Sequence, residues 1–207
     1  GAGNTAMDSA RVSLRMGAEK TTGLPVKDVV VTVPAYFDDS QRRATLEAGE
    51  IAGLNVLRLL NEPTSASLVY DRVSGTADGS EIVMIYDLGG GTFDVSILEV
   101  VEGVREVRST NGNTHLGGDD FDEALVHLFV DELRKARSSP RDDPRAMARL
   151  RRAAEAAKIG LSSDTEVRVR EEYVSTDDRG GPVHLDLKVT RREFERRIAS
   201  LLESTID

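Results

Sequence analysis

The sequence predicts an α/β protein, with mixed sheets under helical cover and one further α+β region. Three patterns indicate this class. Over 28–70, short apolar runs alternate with segments of helical periodicity, and over 81–111 apolar runs follow one another across tight turns. Over 121–202, apolar stripes at helical spacing flank a pair of alternating strands. Alternating strands and helices favour parallel or mixed sheets that helices cover.

The first 70 residues are expected to alternate between helices and strands. Apolar side chains at helical spacing predict an amphipathic helix over 6–22. The β-branched run over 28–33 is nearly continuous, so it predicts a strand that is covered on both faces. A helix over 39–52, a strand over 55–60 and a helix over 63–70 are expected to follow.

The second half of the chain carries both periodicities in longer segments. It is predicted to contain strands over 81–111 with a hairpin at 102–103, a helix over 121–133, a polar loop over 138–144, a charged helix over 145–160, an antiparallel pair over 166–175 and 183–189, and a closing helix over 194–202.

Residues that start and stop helices support these bounds. Asp38 or Asp39 can cap the helix that follows them, and Gly53 can end it. Pro63 suits the first turn of its helix, and a capping box begins at Thr190.

Composition excludes several classes of function. The 207 residues include 27 Lys plus Arg and 36 Asp plus Glu, giving a net charge of −9, which argues against nucleic acid as a partner. The absence of Cys excludes disulfides, thiolate metal sites and catalytic thiols. No apolar run approaches the roughly 18 residues of a membrane span, and the first residues lack the pattern of a signal peptide. A cytoplasmic location is therefore expected.

The most informative stretch is DLGGGTFD at 87–94, which lies between two predicted strands. Successive glycine amides can converge on an anion, and Thr92 can donate its hydroxyl to a phosphate oxygen. Asp87 and Asp94 can lie near Mg²⁺, directly or through its water shell. The alternative is a glycine-rich hairpin turn whose aspartates face water. The flanking strands and the unusual string NEPT at 61–64 favour phosphate binding.

Six strings appear in order along nearly the whole chain: VPAYF (33–37), IAGLNV (51–56), NEPT (61–64), DLGGGTFDVS (87–96), THLGGDDFD (114–122) and EAAKIGLSS (155–163). Together they resemble the ATPase domain of the 70-kDa heat-shock chaperones of the DnaK type. The resemblance implies an actin-like ATPase (ribonuclease H-like) fold, present in part. The family's first phosphate loop, catalytic lysine, last adenosine loop and peptide-binding domain have no counterpart here, so we expect a piece cut from a longer chain.

The resemblance also implies how the chain is divided. Its sections would be part of the first-lobe base (1–72), part of the second-lobe base (73–113), the second-lobe upper subdomain (114–190) and a closing helix (191–207). Both bases would lack strands, and two copies could pair through the exposed sheet edges.

The resemblance implies a site for ATP or ADP with Mg²⁺. Its catalytic residues would be Glu62, Asp87, Thr92 and Asp94, with Asp87 and Glu62 holding Mg²⁺ through water. The residues that bind the nucleotide would be Gly89, Gly90, Gly91, Thr92, Gly117, Gly118, Glu155, Lys158 and Ser162.

Several of these residues also have a purely structural interpretation. Glu62 could supply ordinary negative charge at a helix N-terminus. Gly117 and Gly118 could simply begin a helix. Glu155 and Lys158, three residues apart on a helix, usually form a solvated surface pair of little energetic value.

Allosteric and specificity roles come from the resemblance as well. The residue matching Pro34 switches between lobe states in the family, and Arg42 would relay that state to the peptide-binding domain. Pro34 could instead only end a strand. Asp38 stands where many members carry Asn, and Ile159 replaces an arginine that eukaryotic members often use for adenine stacking. Ile159 therefore points to a bacterial-type member.

The resemblance implies a parent chaperone of the stress response that hydrolyses ATP to control its binding of unfolded polypeptides, with a J-domain co-chaperone and a nucleotide-exchange factor as partners. We expect the fragment alone to hydrolyse ATP weakly or not at all. One alternative is a non-catalytic interaction module that binds the exchange factor. Another is an actin-like or sugar-kinase-like relative, which the strings at 61–64 and 114–122 argue against.

Overall fold

The computed structural model describes residues 27–74 and 80–206, which form two compact units. The first unit contains the described residues up to Leu88 together with Thr92–His115, and the second contains Gly89–Gly91 and the chain from Leu116 onward. The helix predicted over 6–22 lies outside the described residues. The four-section division stays a prediction, whereas the mixed α/β class is confirmed.

The first unit opens with a parallel pair of strands, β1 (Asp28–Val33) and β2 (Asn55–Asn61). Helix α1 (Asp39–Ile51) connects them, and helix α2 (Glu62–Ser74) follows β2 directly. The predicted cover on both faces of β1 is wrong, because Val30 is 55% exposed and burial alternates along the strand. A continuous β-branched run carries no periodicity from which one-sided burial could have been predicted.

Helix α1 has the predicted caps at both ends. The Asp38 carboxylate accepts the backbone N–H of Gln41 at 2.8 Å, and the Gln41 side chain accepts the backbone N–H of Asp38 at 3.0 Å. These reciprocal bonds form a capping box. Gly53, at φ +80°, adopts the left-handed conformation that ends many helices.

Replacing Asp38 with Ala should lower the thermal midpoint of unfolding by about 2–4 °C, because the first turn of α1 loses its side-chain acceptor. Asp38→Asn is the matched control, since Asn caps helices as well as Asp. Circular dichroism melts of both variants measure the effect. An equal loss in the two variants would contradict a role for the cap.

The first unit continues with an antiparallel sheet of β3 (Ser80–Leu88), β4 (Phe93–Val101) and β5 (Val104–Asn113), in that order. Glu102 and Gly103 have φ of 49° and 79°, as a two-residue hairpin turn between β4 and β5 requires, so that predicted hairpin is confirmed.

The second unit consists of four helical segments and one hairpin, in the order α3 (Gly118–Lys135), a 3₁₀ turn (Pro140–Asp142), α4 (Pro144–Ser163), β6 (Glu166–Thr176), β7 (Pro182–Thr190) and α5 (Arg191–Glu203). The strands β6 and β7 are antiparallel, as predicted. Leu125, Phe129, Leu150 and Leu185 are fully buried and join α3, α4 and β7 in one core. The Thr190 hydroxyl accepts the Glu193 amide at 3.3 Å, so Thr190 caps α5 as predicted. Only this half of the predicted capping box is found, because the Glu193 carboxylate accepts from Arg197 at 3.3 Å instead.

Large apolar side chains stay exposed on both sheets of the first unit, among them Val30, Leu57, Ile82 and Met84. Pairing of two copies through exposed sheet edges remains a prediction. None of the helices in the described part of the chain is both long and apolar enough to cross a membrane.

Candidate functional site

Three carboxylates that the sequence singled out converge in the first unit. Glu62 begins α2 immediately after β2, and Asp87 and Asp94 are directly paired across β3 and β4. Asp94 is only 3% exposed and accepts the backbone N–H of Tyr36 at 3.3 Å. Two strand ends and one helix start therefore carry all three acids, and their role at a metal stays a prediction.

Two of these acids, Glu62 and Asp94, have a raised pKa. Burial raises the pKa of Glu62, and the negative charges of Asp87 and Asp94 raise it further. Burial also raises the pKa of Asp94; the Tyr36 amide opposes this shift and Asp87 adds to it. A cation near these groups would relieve both the repulsion and the desolvation. Among the described residues, no three acidic, His or Cys side chains could hold an ion directly.

The loop after β1 is hydrogen-bonded to the carboxylate cluster of Glu62, Asp87 and Asp94 through the Tyr36 amide, and to the end of β2 through Arg42. The Arg42 guanidinium donates to Asn61 Oδ1 at 3.0 Å and to the carbonyl oxygens of Phe37 and Ala35 at 3.1 and 3.3 Å. Asn61 immediately precedes Glu62. Pro34 begins the same loop and its carbonyl accepts the amide of Phe37 at 3.2 Å. Arg42 thus joins the ends of β1 and β2, while the relay roles of Pro34 and Arg42 stay predictions.

In the second unit, the turn Gly89–Gly91, called the glycine turn below, is hydrogen-bonded to the start of α3. The amide of Gly118 donates to the carbonyl of Gly89 at 2.9 Å, and the amide of Asp119 donates to the carbonyl of Gly90 at 2.7 Å. A Cβ on Gly117 would lie 2.4 Å from the Gly90 carbonyl oxygen, so only glycine permits this approach. The turn backbone is therefore fixed before any ligand arrives.

Gly117 and Gly118 lie at the start of α3, as their structural interpretation requires, whereas their contact with a nucleotide stays a prediction. Helix α3 begins at Gly118, slightly earlier than the sequence predicted, with Gly117 as its N-cap. The Gly117 amide donates to the Asp120 carboxylate at 2.8 Å. The same two glycines also pack on Gly89 and Gly90, which a mere helix start would not need.

Thr92 follows the turn and directly precedes β4, where its side chain is partly exposed. A Cβ built on Gly91 would meet nothing within 4 Å. One side of the turn is therefore open at Gly91, where a phosphate group would need space.

The three α4 residues predicted to bind the nucleotide are Glu155, Lys158 and Ser162. Lys158 is not a solvated surface group. Lys158 Nζ donates to the carbonyl of Gly118 at 2.9 Å and to the Asp122 carboxylate at 2.8 Å. Glu155 and Ser162 are exposed on the same helix, and Ile159 is 62% exposed. The structural interpretation of Lys158 as half of a surface pair with Glu155 is therefore wrong, because the ammonium is bonded to α3 instead.

Comparison with known proteins decides the family. A family model described as Hsp70 protein matches residues 9–207. The chain belongs to the Hsp70 family. This agrees with the six strings on which the resemblance to 70-kDa heat-shock chaperones was based.

Individual Hsp70 relatives match almost the whole chain. It is 53% identical over 197 residues to heat shock protein hsp-6 of Caenorhabditis elegans, covering 95% of this chain and 30% of that protein. It is 53% identical over 190 residues to the mitochondrial heat shock 70 kDa protein of Dictyostelium discoideum (91% and 28%). It is 49% identical over 191 residues to the chaperone protein DnaK of Anaplasma marginale (92% and 29%).

The chain thus spans between 28% and 30% of the length of these Hsp70 relatives. One of them is mitochondrial by name, so the cytoplasmic location stays a prediction.

Sequence reasoning assigned no role to Asp122 or to Arg191, although both form hydrogen bonds with α4 in the second unit. Arg191 donates to the carbonyl oxygens of Leu161 and Ser162 at 2.7 and 3.3 Å, and so binds the last turn of α4. Each of these contacts joins residues that are far apart in the chain, so no local spacing could have shown them.

Proposed function

We propose that this chain is the central part of the ATPase domain of a DnaK-type chaperone and that it binds ATP or ADP with Mg²⁺. The glycine turn carries the proposal. Its carbonyl groups at Gly89 and Gly90 are held by the start of α3, against a Gly117 that has no room for a side chain. A turn fixed in this way can present amide groups to phosphate without paying for reorganisation on binding.

The residues of each unit have separate proposed roles. In the first unit, Asp87 and Glu62 hold Mg²⁺ through its water shell, and Asp94 helps to position the attacking water. When bound, Mg²⁺ supplies positive charge that neutralises the phosphate oxygens during transfer. Thr92 donates its hydroxyl to a phosphate oxygen.

In the second unit, the glycine turn binds phosphate through its amides. The side chains of Glu155, Lys158 and Ser162 line the adenosine. Because Ile159 is exposed and aliphatic, it offers a base less stacking than an arginine would.

The proposal extends to the whole protein through its family. The parent has an actin-like ATPase fold, of which this chain forms part, and uses ATP hydrolysis to control its grip on unfolded polypeptides. A J-domain co-chaperone and a nucleotide-exchange factor are its partners. The convergence of Glu62, Asp87 and Asp94 supports hydrolysis over a purely non-catalytic interaction module.

Asp87→Ala in the full-length protein tests the proposal. We expect the affinity for ADP in the presence of Mg²⁺ to fall about tenfold, because one charged ligand of the metal's water shell is lost. Asp186→Ala is the control, since Asp186 lies on β7 in exposed ion pairs with Arg168 and Arg170. Calorimetric titration with and without Mg²⁺ measures both variants. Absence of ADP binding by the wild type, or unchanged Mg²⁺-dependent affinity in Asp87→Ala, would contradict the assignment.

A further inference from the structure

A partly buried ion pair joins helices α3 and α4 in the second unit. Lys158 Nζ lies 2.8 Å from Asp122 Oδ2 and 2.9 Å from the carbonyl oxygen of Gly118. An ammonium group has three N–H donors. Two of them are directed at these acceptors, which leaves one donor for a ligand.

The Asp122–Lys158 pair loses part of its hydration in the fold. The side chains of Asp122 and Lys158 are only 15% and 24% exposed. Burial raises the pKa of Asp122, the bond from Lys158 opposes this shift, and the charges of Glu155 and Asp119 add to it. Asp122 Oδ1 is buried and has no hydrogen-bond partner among the described residues. An ion pair that is partly removed from water gains little net stability, because the desolvation penalty offsets much of the attraction between the charges.

The pair is also connected to the glycine turn through a single residue. Gly118 accepts from Lys158 through its carbonyl and donates to the Gly89 carbonyl through its amide. A Cβ at Gly118 would lie 3.2 Å from Lys158 Nζ, so the lysine and the start of α3 are closely packed. The position of the ammonium is thereby fixed relative to the turn that is proposed to bind phosphate.

We infer that Asp122 is a positioning residue, which holds the Lys158 ammonium so that its remaining N–H donates to a ribose hydroxyl of the bound nucleotide. This inference rests on the proposed nucleotide site. A lysine has a flexible four-carbon stem, and fixing it before binding removes an entropic cost that the ligand would otherwise meet. Asp122 acts through Lys158 and does not itself contact the nucleotide.

The test compares Asp122→Asn, Lys158→Met and the double variant in the full-length protein. Asp122→Asn keeps the shape of the side chain but removes its charge, so the ammonium is held less firmly. We expect the dissociation constant for ADP to rise about tenfold in Asp122→Asn, as for the loss of one charge-assisted contact. The double variant should bind ADP no more weakly than Lys158→Met, because Asp122 acts only through the lysine.

A second ligand separates positioning from a general structural effect. With 2′,3′-dideoxy-ADP, which has no ribose hydroxyls, Asp122→Asn should bind within about twofold of the wild type. Asp186→Asn, in an exposed ion pair of β7, should leave both affinities unchanged. Calorimetry gives the affinities, and thermal melts show whether each variant is folded at the temperature used.

The outcomes are distinguishable. An unchanged ADP affinity in Asp122→Asn, an equal loss for ADP and the dideoxy ligand, or losses that multiply in the double variant would each overturn the inference. Wild-type protein that binds ADP while Lys158→Met binds it equally well would overturn the inference and leave the proposed function standing. Wild-type protein that binds neither ligand would overturn both.

Discussion

Gly117→Ala should lower the free energy of unfolding by about 2–3 kcal/mol, the range expected for a side chain forced into a closely packed site. The added Cβ would lie 2.4 Å from the Gly90 carbonyl oxygen and 2.5 Å from the Gly91 nitrogen. Both atoms belong to backbone, so neither can move aside as a side-chain end could. Gly117 has φ of −173°, an extended conformation open to any residue, and the penalty is therefore steric. Urea unfolding measures it.

The same substitution should weaken ADP binding, because the bonds from Gly118 and Asp119 hold the turn in place. Gly91→Ala is the matched variant, in which ADP affinity should fall while stability hardly changes. Its Cβ meets nothing within 4 Å, so stability should change by no more than about 0.5 kcal/mol. The methyl group would nevertheless occupy space that the proposed phosphate needs, and ADP affinity should fall. Wild-type stability in Gly117→Ala would contradict this account of the turn.

The glycine turn shows how far the sequence determines this site. Its composition and the flanking apolar runs were enough to predict a hairpin end that could bind phosphate, because backbone freedom and strand periodicity are local properties. The close approach of Gly117 to Gly90 was not predictable in the same way. It depends on how α3 packs against a distant turn.

The charged residues of α4 also show that a sequence predicts local structure better than contacts between distant segments. The spacing of Glu155, Lys158 and Ser162 correctly placed them on one helix, α4. Their spacing could not show that Lys158 bonds to Asp122 on another helix, because that choice is made by tertiary packing. Likewise the β-branched run of β1 predicted a strand, but burial of its two faces depends on which elements pack against it.

Glu62→Gln should lower the single-turnover rate of ATP hydrolysis in the full-length protein about 100-fold and raise the stability of the ligand-free protein. The rate falls because a neutral amide neither holds the metal's water shell nor orients water as a carboxylate does. The stability rises because the charged carboxylate is partly buried beside Asp87 and Asp94. Exposed Glu47 on α1 provides the control, and Glu47→Gln should change neither quantity.

The pH dependence of stability distinguishes removal of the Glu62 charge from a general gain in packing. The folded state raises the pKa of Glu62, so it binds the carboxyl proton more tightly than the unfolded chain does. Charged Glu62 therefore destabilises the fold above its raised pKa, and this penalty disappears as the pH falls through that pKa. The stability advantage of Glu62→Gln should be full at neutral pH and shrink on acidification. A constant advantage across the pH range would show that the carboxylate cluster is not its source.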